Sequence, residues 1–589
     1  VFRTAPADTP LGDAFHLYDT TLRDGAQREG ISYSVTDKLT VARLLDSLGV
    51  GFIEGGWPGA LPKDTEFFAR AAEGELELRH AALVAFGATR RAGLTAAEDP
   101  QVRALLDSKA PVITLVAKSD RRHIERALRT DVAENCAMVR DTVSLLVAEG
   151  RRVFVDAEHF FDGYAADPDC ALRVLEAAVL GGADVVVLCD TNGGSLPTGL
   201  AETVTEVHAR TGFRLGIHCQ DDTGCAVANT IAAVQAGVTH VQCTANGYGE
   251  RAGNADLFPV IGNLVTKLDM PVLPEGRLVE LTRVSHALAE IANLAPDPHQ
   301  AYVGTSAFAH KAGLHASAIK VDPELYNHME PGDVGNGMRV LVTEMAGRAS
   351  LELKGREFGL DLTARPDAVG RVVRRVKELE AGGWSFEAAD ASLELLLRAE
   401  LGGGAEAAVA ERVTEAAVAE RVTEAAVAER VTEAAVAERV TEAAAAEHVT
   451  EAAAALRPFT LESYRVSLDH RADGEVVAEA TVRLHVDGER VIATAEGTGP
   501  VNALDAALRA ALTPYLPWLA DVRLLDYKVR ILAGRHGTDA VTRVLVDSGD
   551  GVDKWTTVGV HGNIVEASWL ALCDALAYRA ARQAGSVRV

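Results

Sequence analysis

The sequence predicts a (β/α)8 barrel, followed by a helical extension, a repeat linker and a C-terminal α+β domain. Three observations carry that prediction. Eight short apolar runs rich in Val, Ile and Leu lie between Leu17 and Gly249, each separated from the next by room for a helix and a turn. Near-continuous apolar strands alternating with helical stretches indicate a parallel sheet covered by helices, and eight units in about 250 residues suit a closed barrel. After Pro458 the pattern changes to strict alternation.

The eight runs begin near Leu17, Val50, Ala81, Val112, Val153, Val185, Leu215 and Val241, with Lys38 to Leu48 and Ala226 to Ala236 as examples of the helical stretches between them. A doubly wound open sheet is the rival, but no run is followed by the G-x-G-x-x-G fingerprint of a dinucleotide fold. The boundaries expected are 1–270 for the barrel, 271–401 for a mostly helical extension, 402–457 for the repeat linker and 458–589 for the C-terminal domain. From Glu406 to Ala455 the chain repeats the nine-residue unit AAVAERVTE. Its valines, as in Val409, Val413, Val418 and Val422, alternate between opposite faces of a helix and build no continuous apolar stripe. A solvated helix or a disordered linker is the expectation. In the C-terminal domain, Ala480, Val482, Leu484 and Val486 set against Thr481, Arg483, His485 and Asp487 spell a half-buried antiparallel strand. A helix follows with Val501, Leu504, Leu508 and Leu512 on one face. The resemblance of GPVNALDAAL to GNIVEASWLAL suggests an internal duplication, with two helices opening after Gly499 and Gly562. Such N-termini favour an anion, or are ordinary helix entries.

The chain has 589 residues, enough for three or four compact units, with 48% hydrophobic and 24% charged residues. No run of 18 or more apolar residues suggests a membrane span, and the net charge of −26 argues against a nucleic-acid surface. The start, Val1 to Pro10, does not read as a signal peptide, and the seven cysteines lack paired spacing, so a reducing cytoplasm fits.

Barrel enzymes place their reactive groups where strands end on the C-terminal face. Here the first strand ends in Asp19-Thr20-Thr21-Leu22-Arg23-Asp24-Gly25, the second in Glu54-Gly55-Gly56-Trp57 and the fifth in Asp156-Ala157-Glu158-His159. The sixth ends in Cys189-Asp190-Thr191-Asn192, the seventh in His218-Cys219-Gln220-Asp221-Asp222, and the eighth runs through Asn246 to Asn254. Six polar clusters at one end of one barrel converge on a shared pocket. Asp24, His218 and Asn254 offer oxygen and nitrogen donors without thiolate, which suits magnesium or manganese more than structural zinc. Taken alone, His218 reads equally well as a ligand or as a hydrogen-bonded polar residue. Strand alternation turns His218 and Gln220 to the mouth and Cys219 away from it.

The segments DTTLRDGAQREG, FIEGGWPG, DAEHFFDGY, CDTNGG, AVANTIAAVQAG, NGYGERAGN, ADASLELLLR and GTGPVNALDAALR closely resemble the citramalate synthases. These are relatives of the 2-isopropylmalate and homocitrate synthases among the barrel metallo-acyltransferases. The resemblance covers nearly all of the chain except the repeat. It implies a metal-dependent Claisen-type condensation of acetyl-CoA, the co-substrate, with a short 2-oxo acid, pyruvate in the first instance, followed by thioester hydrolysis. The implied metal ligands are Asp24, His218, residue 220 and Asn254, with magnesium or manganese, or alternatively zinc, as the ion. Arg23 would stabilise oxyanion character, while Glu54, Glu158, Thr191 and Asn192 line the substrate pocket, Glu158 also counting among the catalytic groups. His315, in HKAGLHASAIK, matches the family base, with Tyr326 as its hydroxyl partner and His310 as the competing candidate. The C-terminal domain resembles the LeuA-type dimerisation and regulatory domain, implying a homodimer and feedback by isoleucine. Neither nucleic acid nor membrane is an implied partner.

The sequence departs from the family at Gln220, where a second His is usual, at Asp221-Asp222, at Lys118 to Arg121, at Cys243 and Ala245, and at Ala252. These suggest an altered pocket, with Asp222 placed to compensate for the weaker amide donor. Three readings therefore stay open: citramalate synthase, a paralogue using another 2-oxo acid or acyl thioester in specialised metabolism, or a non-catalytic homologue that has lost metal.

Overall fold

The computed structural model describes residues 12–402, 456–470, 472, 474–532 and 540–586. The nine-residue repeat lies outside them. The described residues fall into two compact units, one of residues up to 308 together with 327–338, the other of 309–326 and 339 onward.

The first unit is a closed barrel of eight parallel strands in sequential order. They are β1 (His16–Asp19), β2 (Phe52–Gly56), β3 (Ala82–Ala88), β4 (Val112–Lys118), β5 (Arg152–Glu158), β6 (Val185–Asp190), β7 (Leu215–Cys219) and β8 (His240–Cys243). Closure comes from parallel pairing of β1 with β8, Leu17 opposite Val241 and Asp19 opposite Cys243. Because side chains alternate along a strand, each strand has an inward and an outward set. Tyr18, Phe52, Val84, Val112, Phe154, Val185, Val187 and Cys189 fill the lumen. Leu17, Ile53, Val155, Leu188, Ile217, Cys219, Val241 and Cys243 face the ring of helices instead. The first helix, Val35–Leu48, shows how sequence starts such an element: Asp37 N–H donates to the Ser34 hydroxyl at 3.1 Å, and Ser34 N–H donates to the Asp37 carboxylate at 2.8 Å. Its buried face of Leu39, Ala42 and Leu45 then packs on the barrel.

The expectation of a mostly helical segment from 271 to 401 holds only in part. Between Ala292 and Gly347 the chain is mainly turns and short helices, with a two-strand pair β9 (Ala309–His310) and β10 (Arg339–Val340). Helices Arg348–Glu357, Pro366–Ala381 and Asp390–Gly402 follow. Glycines and prolines such as Gly304, Pro323, Pro331, Gly335 and Gly337 interrupt the first stretch, whereas in the second Gly359, Pro366 and the Gly382-Gly383 pair fall between or at the ends of its helices.

The C-terminal part of the second unit contains the expected duplication. Strands β11 (Thr460–His470), β12 (Val476–Val486) and β13 (Glu489–Gly497) form an antiparallel sheet followed by the helix Pro500–Leu512. Strands β14 (Arg523–Ile531), β15 (Thr542–Gly549) and β16 (Lys554–His561), with the helix Ile564–Ser586, repeat the order. Ala480, Val482, Leu484 and Val486 are buried against Leu504, Leu508 and Leu512. One detail differs from the sequence reading. The last helix is capped by Asn563, whose side-chain oxygen accepts from Val565 N–H at 2.8 Å, and not by Gly562. An Asn side chain supplies the acceptor that a glycine lacks.

All seven cysteines are free. Among the described residues, no helix is long and apolar enough to cross a membrane.

Phe154 is wholly buried at the base of the lumen, its ring 5.2 Å from Phe52 and 4.9 Å from His240. Phe154→Ala is expected to cost the barrel about 3–5 kcal/mol, read as a lowered urea midpoint of its unfolding transition. A midpoint unchanged from wild type would refute this packing.

Candidate active site

The site grows from inward-facing positions at the C-terminal ends of the strands. On β7, His218 points inward between outward Ile217 and Cys219, and Gln220 continues the inward set. The loop after β1 turns back so that Arg23 and Asp24 cover the lumen. Gly253 brings Asn254 beside Gln220, with which it forms an isolated antiparallel bridge. The structure thus brings together the four residues expected to hold metal, and all four are buried.

Asp24 Oδ2, His218 Nε2 and Gln220 Nε2 stand 3.4 Å from one another. The centre of a triangle of that size is about 2 Å from each corner, the reach of a divalent ion to oxygen or nitrogen. At the third corner sits the Gln220 amide nitrogen, a group unable to ligate. The buried Gln220 Oε1 has no hydrogen-bond partner, and neither has the buried Asn254 Oδ1. An amide rotates through 180° at nearly unchanged shape, so a half turn places the Gln220 oxygen at the corner. Two orphaned carbonyl oxygens, each costing roughly 1–3 kcal/mol when left without a partner, beside a carboxylate and an imidazole, fit a hard divalent cation.

Burial opposes ionisation of Asp24, but Arg23 and His218 beside it hold its carboxyl below the usual carboxylate range. Burial likewise opposes charge on His218, and the hydrogen bond and charge of Asp24 more than offset this, moving its pKa up. Asp24 is therefore an anion ready to ligate.

Arg23 is held on two sides. Its Nε donates to Glu54 Oε1 at 2.5 Å, and its guanidinium carbon lies 3.8 Å from the centre of the Phe86 ring. Its Nη1 approaches Asp24 Oδ1 at 3.5 Å. Glu54 is 0% exposed, and its oxygens accept from Thr20, Arg23 and the Tyr18 hydroxyl. Glu54 thus anchors the arginine from below, with three donors shared between its two oxygens. Phe86 and Tyr18 went unnoticed in the sequence, although both occupy inward positions.

Glu158 forms an ion pair with Lys118 at the rim. Thr191 Oγ1 accepts from His159 N–H at 2.8 Å, and Asn192 donates to Asp162 at 2.5 Å. In the second unit, the His315 and Tyr326 rings lie 4.2 Å apart, with His310 6.2 Å from His315.

The departures that suggest an altered pocket mostly lie outside the donor cluster. Cys243 and Ala245 belong to the layer between barrel and helices, because alternation on β8 turns its other set inward. Asp120 caps the helix Arg121–Arg126 through Arg122 N–H at 2.7 Å, and Ser119 donates to the Glu158 carbonyl at 2.7 Å. Ala252 is exposed in its turn. Asp222 does not compensate for Gln220, since Arg251 holds both its oxygens at 2.7 and 2.9 Å. Gln220 alone among these substitutions enters the donor cluster.

Residues 14–288 match the HMGL-like family model, residues 302–383 the homocitrate synthase post-HMGL domain-like model, and residues 430–579 the LeuA allosteric (dimerisation) domain model. The chain is similar to the (R)-citramalate synthase of Streptomyces coelicolor, with 59% identity over 97% of this chain and 98% of the relative. It is also similar to those of Synechocystis, with 45% identity over 95% of each chain, and of Aquifex aeolicus, with 42% identity over 97% of this chain and 98% of the relative.

Replacing the amide at position 220 by imidazole supplies a stronger donor. Gln220→His is expected to tighten Mn2+ binding in a calorimetric titration, and weaker binding would mean that residue 220 does not face the ion.

Proposed function

The chain belongs to the (R)-citramalate synthase family, and from that premise we propose how its residues divide the work of condensing acetyl-CoA with pyruvate to citramalate. The observation that carries the reading is the triangle of Asp24, His218 and Gln220 beside the pinned guanidinium of Arg23.

Asp24, His218, Gln220 and Asn254 would hold a divalent cation, magnesium or manganese by the hardness of the donors. When bound, such an ion acts as a Lewis acid toward a 2-oxo acid. Arg23 supplies a permanent positive charge to the keto oxygen as it becomes an alkoxide. Its aim comes from the protein: Glu54 fixes one edge and Phe86 one face. Pre-set orientation avoids reorganisation as charge develops. Glu158, Thr191 and Asn192 are proposed to line the acid-binding pocket, where hydroxyl, amide and carboxylate groups select a small polar substrate.

His315 is the proposed base for the methyl proton of acetyl-CoA, with Tyr326 packed on its ring. The carbon so exposed attacks C2 of pyruvate, whose carbonyl π electrons pass to oxygen, and that oxygen takes up a proton. Water then cleaves the thioester to give citramalate and the free thiol of coenzyme A. Release of the thiol makes the sequence effectively irreversible. The module matched by the LeuA allosteric (dimerisation) domain model is proposed to form a homodimer and to bind isoleucine, the end product of the branch that citramalate feeds.

Thiol release measured across a panel of 2-oxo acids with Mn2+ is expected to be fastest with pyruvate. Turnover confined to a larger acid would favour a paralogue's chemistry, and none with any acid would remove the catalytic reading. For the base, His315→Ala should lower kcat by about 100-fold or more while leaving Mn2+ affinity unchanged, whereas near-normal turnover would move the role elsewhere.

A further inference from the structure

Beneath the donor triangle, three inward side chains from three strands form a chain that the reaction as described leaves without a task. Asp156 on β5 accepts at Oδ1 from Gln242 Nε2 at 2.8 Å. Gln242 Oε1, on β8, lies 3.0 Å from Nδ1 of His218 on β7. All three residues are buried, Gln242 at 1% exposure. The other nitrogen of the same imidazole is the one that stands 3.4 Å from Asp24 and from Gln220.

We propose that Gln242, with its amide oriented by Asp156, is a positioning residue that locks His218 in the Nδ1–H tautomer and so keeps the Nε2 lone pair directed at the cation site. The inference rests on the donor set assigned above and goes one layer deeper. An ionised carboxylate only accepts hydrogen bonds, so Asp156 must take the amide NH2 of Gln242. The amide oxygen is thereby turned toward His218. Facing an acceptor, Nδ1 has to carry the imidazole proton, and a neutral ring protonated there presents its lone pair at Nε2. With the amide reversed, its NH2 would demand the Nδ1 lone pair and push the proton onto Nε2, which then could not ligate. The three side chains select one of two tautomers by hydrogen-bond polarity alone. An amide between acid and imidazole does this without placing a second carboxylate against the ring, where Asp24 already stands on the opposite side. In the closed lumen no bulk water is at hand to take over either bond, which makes the selection strict.

The test uses the full-length, metal-stripped chain at pH 8, where Asp156, pushed up to about 7 mainly by burial and by Glu54, is ionised. Free Mn2+ is read from its electron paramagnetic resonance signal, and the tautomer of His218 from 15N shifts of 15N-histidine-labelled protein, the resonance being assigned by its loss in His218→Gln. Gln242→Met, similar in volume but unable to accept as Gln does, is expected to weaken Mn2+ binding at least about tenfold and to abolish the preference for Nδ1–H. The double variant Asp156→Asn with Gln242→Glu exchanges amide and carboxylate while preserving every donor and acceptor in the chain. It is expected to restore Mn2+ affinity to within about threefold of wild type, a rescue that packing alone would not produce. Wild-type affinity in Gln242→Met, a double variant as weak as that single variant, or an Nε2–H tautomer in the unaltered protein would each overturn the proposal. Failure of the underlying donor set has a different signature. An unaltered chain that takes up no Mn2+, or takes it up equally well after Asp24→Asn, removes the cation site and the positioning role with it.

Discussion

A closed barrel admits no bulk water to its interior, so a polar side chain that points inward has to find its hydrogen-bond partners within the protein. This constraint organises the molecule from the base of the lumen to its mouth. At the base, His16 and His240 meet at 3.1 Å amid Phe52 and Phe154, and burial holds the pKa of both histidines down. Midway up, Glu54 collects Tyr18, Thr20 and Arg23, while Gln242 links Asp156 to His218. Nε2 of His240 is left without a partner at the base, and at the mouth the oxygens of Gln220 and Asn254 have no protein partner either. Unsatisfied carbonyl oxygens beside a carboxylate and an imidazole are where a cation and a chelating acid have reason to bind.

Most of the architecture was legible from the residues because it depends on local patterns. Apolar runs separated by helix-length segments marked all eight strands within two residues of where they begin. The alternation about Ala480 to Val486 marked a C-terminal strand. The same rule applied at β7 sent His218 and Gln220 inward and Cys219 outward, as found.

What escaped the sequence depends on pairings between distant strands. Glu54 lies 31 residues from Arg23, and Gln242 lies 86 from Asp156. Neither spacing carries a signal, so the anchoring of Arg23 by Glu54 and the link through Gln242 are not legible in the sequence. The misreading of Cys243 and Ala245 was avoidable. Pairing of Leu17 with Val241 and of Asp19 with Cys243 sets the inward register of β8 on His240 and Gln242. Alternation extended from β7 to β8 would have placed the cysteine among the helices.

Arg251, which holds both oxygens of Asp222, also donates to the Thr191 carbonyl at 2.8 Å. One guanidinium from the β8 loop therefore rivets the β6 and β7 loops together, and a change in any of the three is transmitted to the other two. Evolution of a different acid preference by swapping single loops is hindered along that arc of the rim. The β5 loop is fastened to the same arc, through His159 N–H on Thr191 Oγ1 and Asn192 on Asp162, which leaves the loops after β2 and β3 outside it.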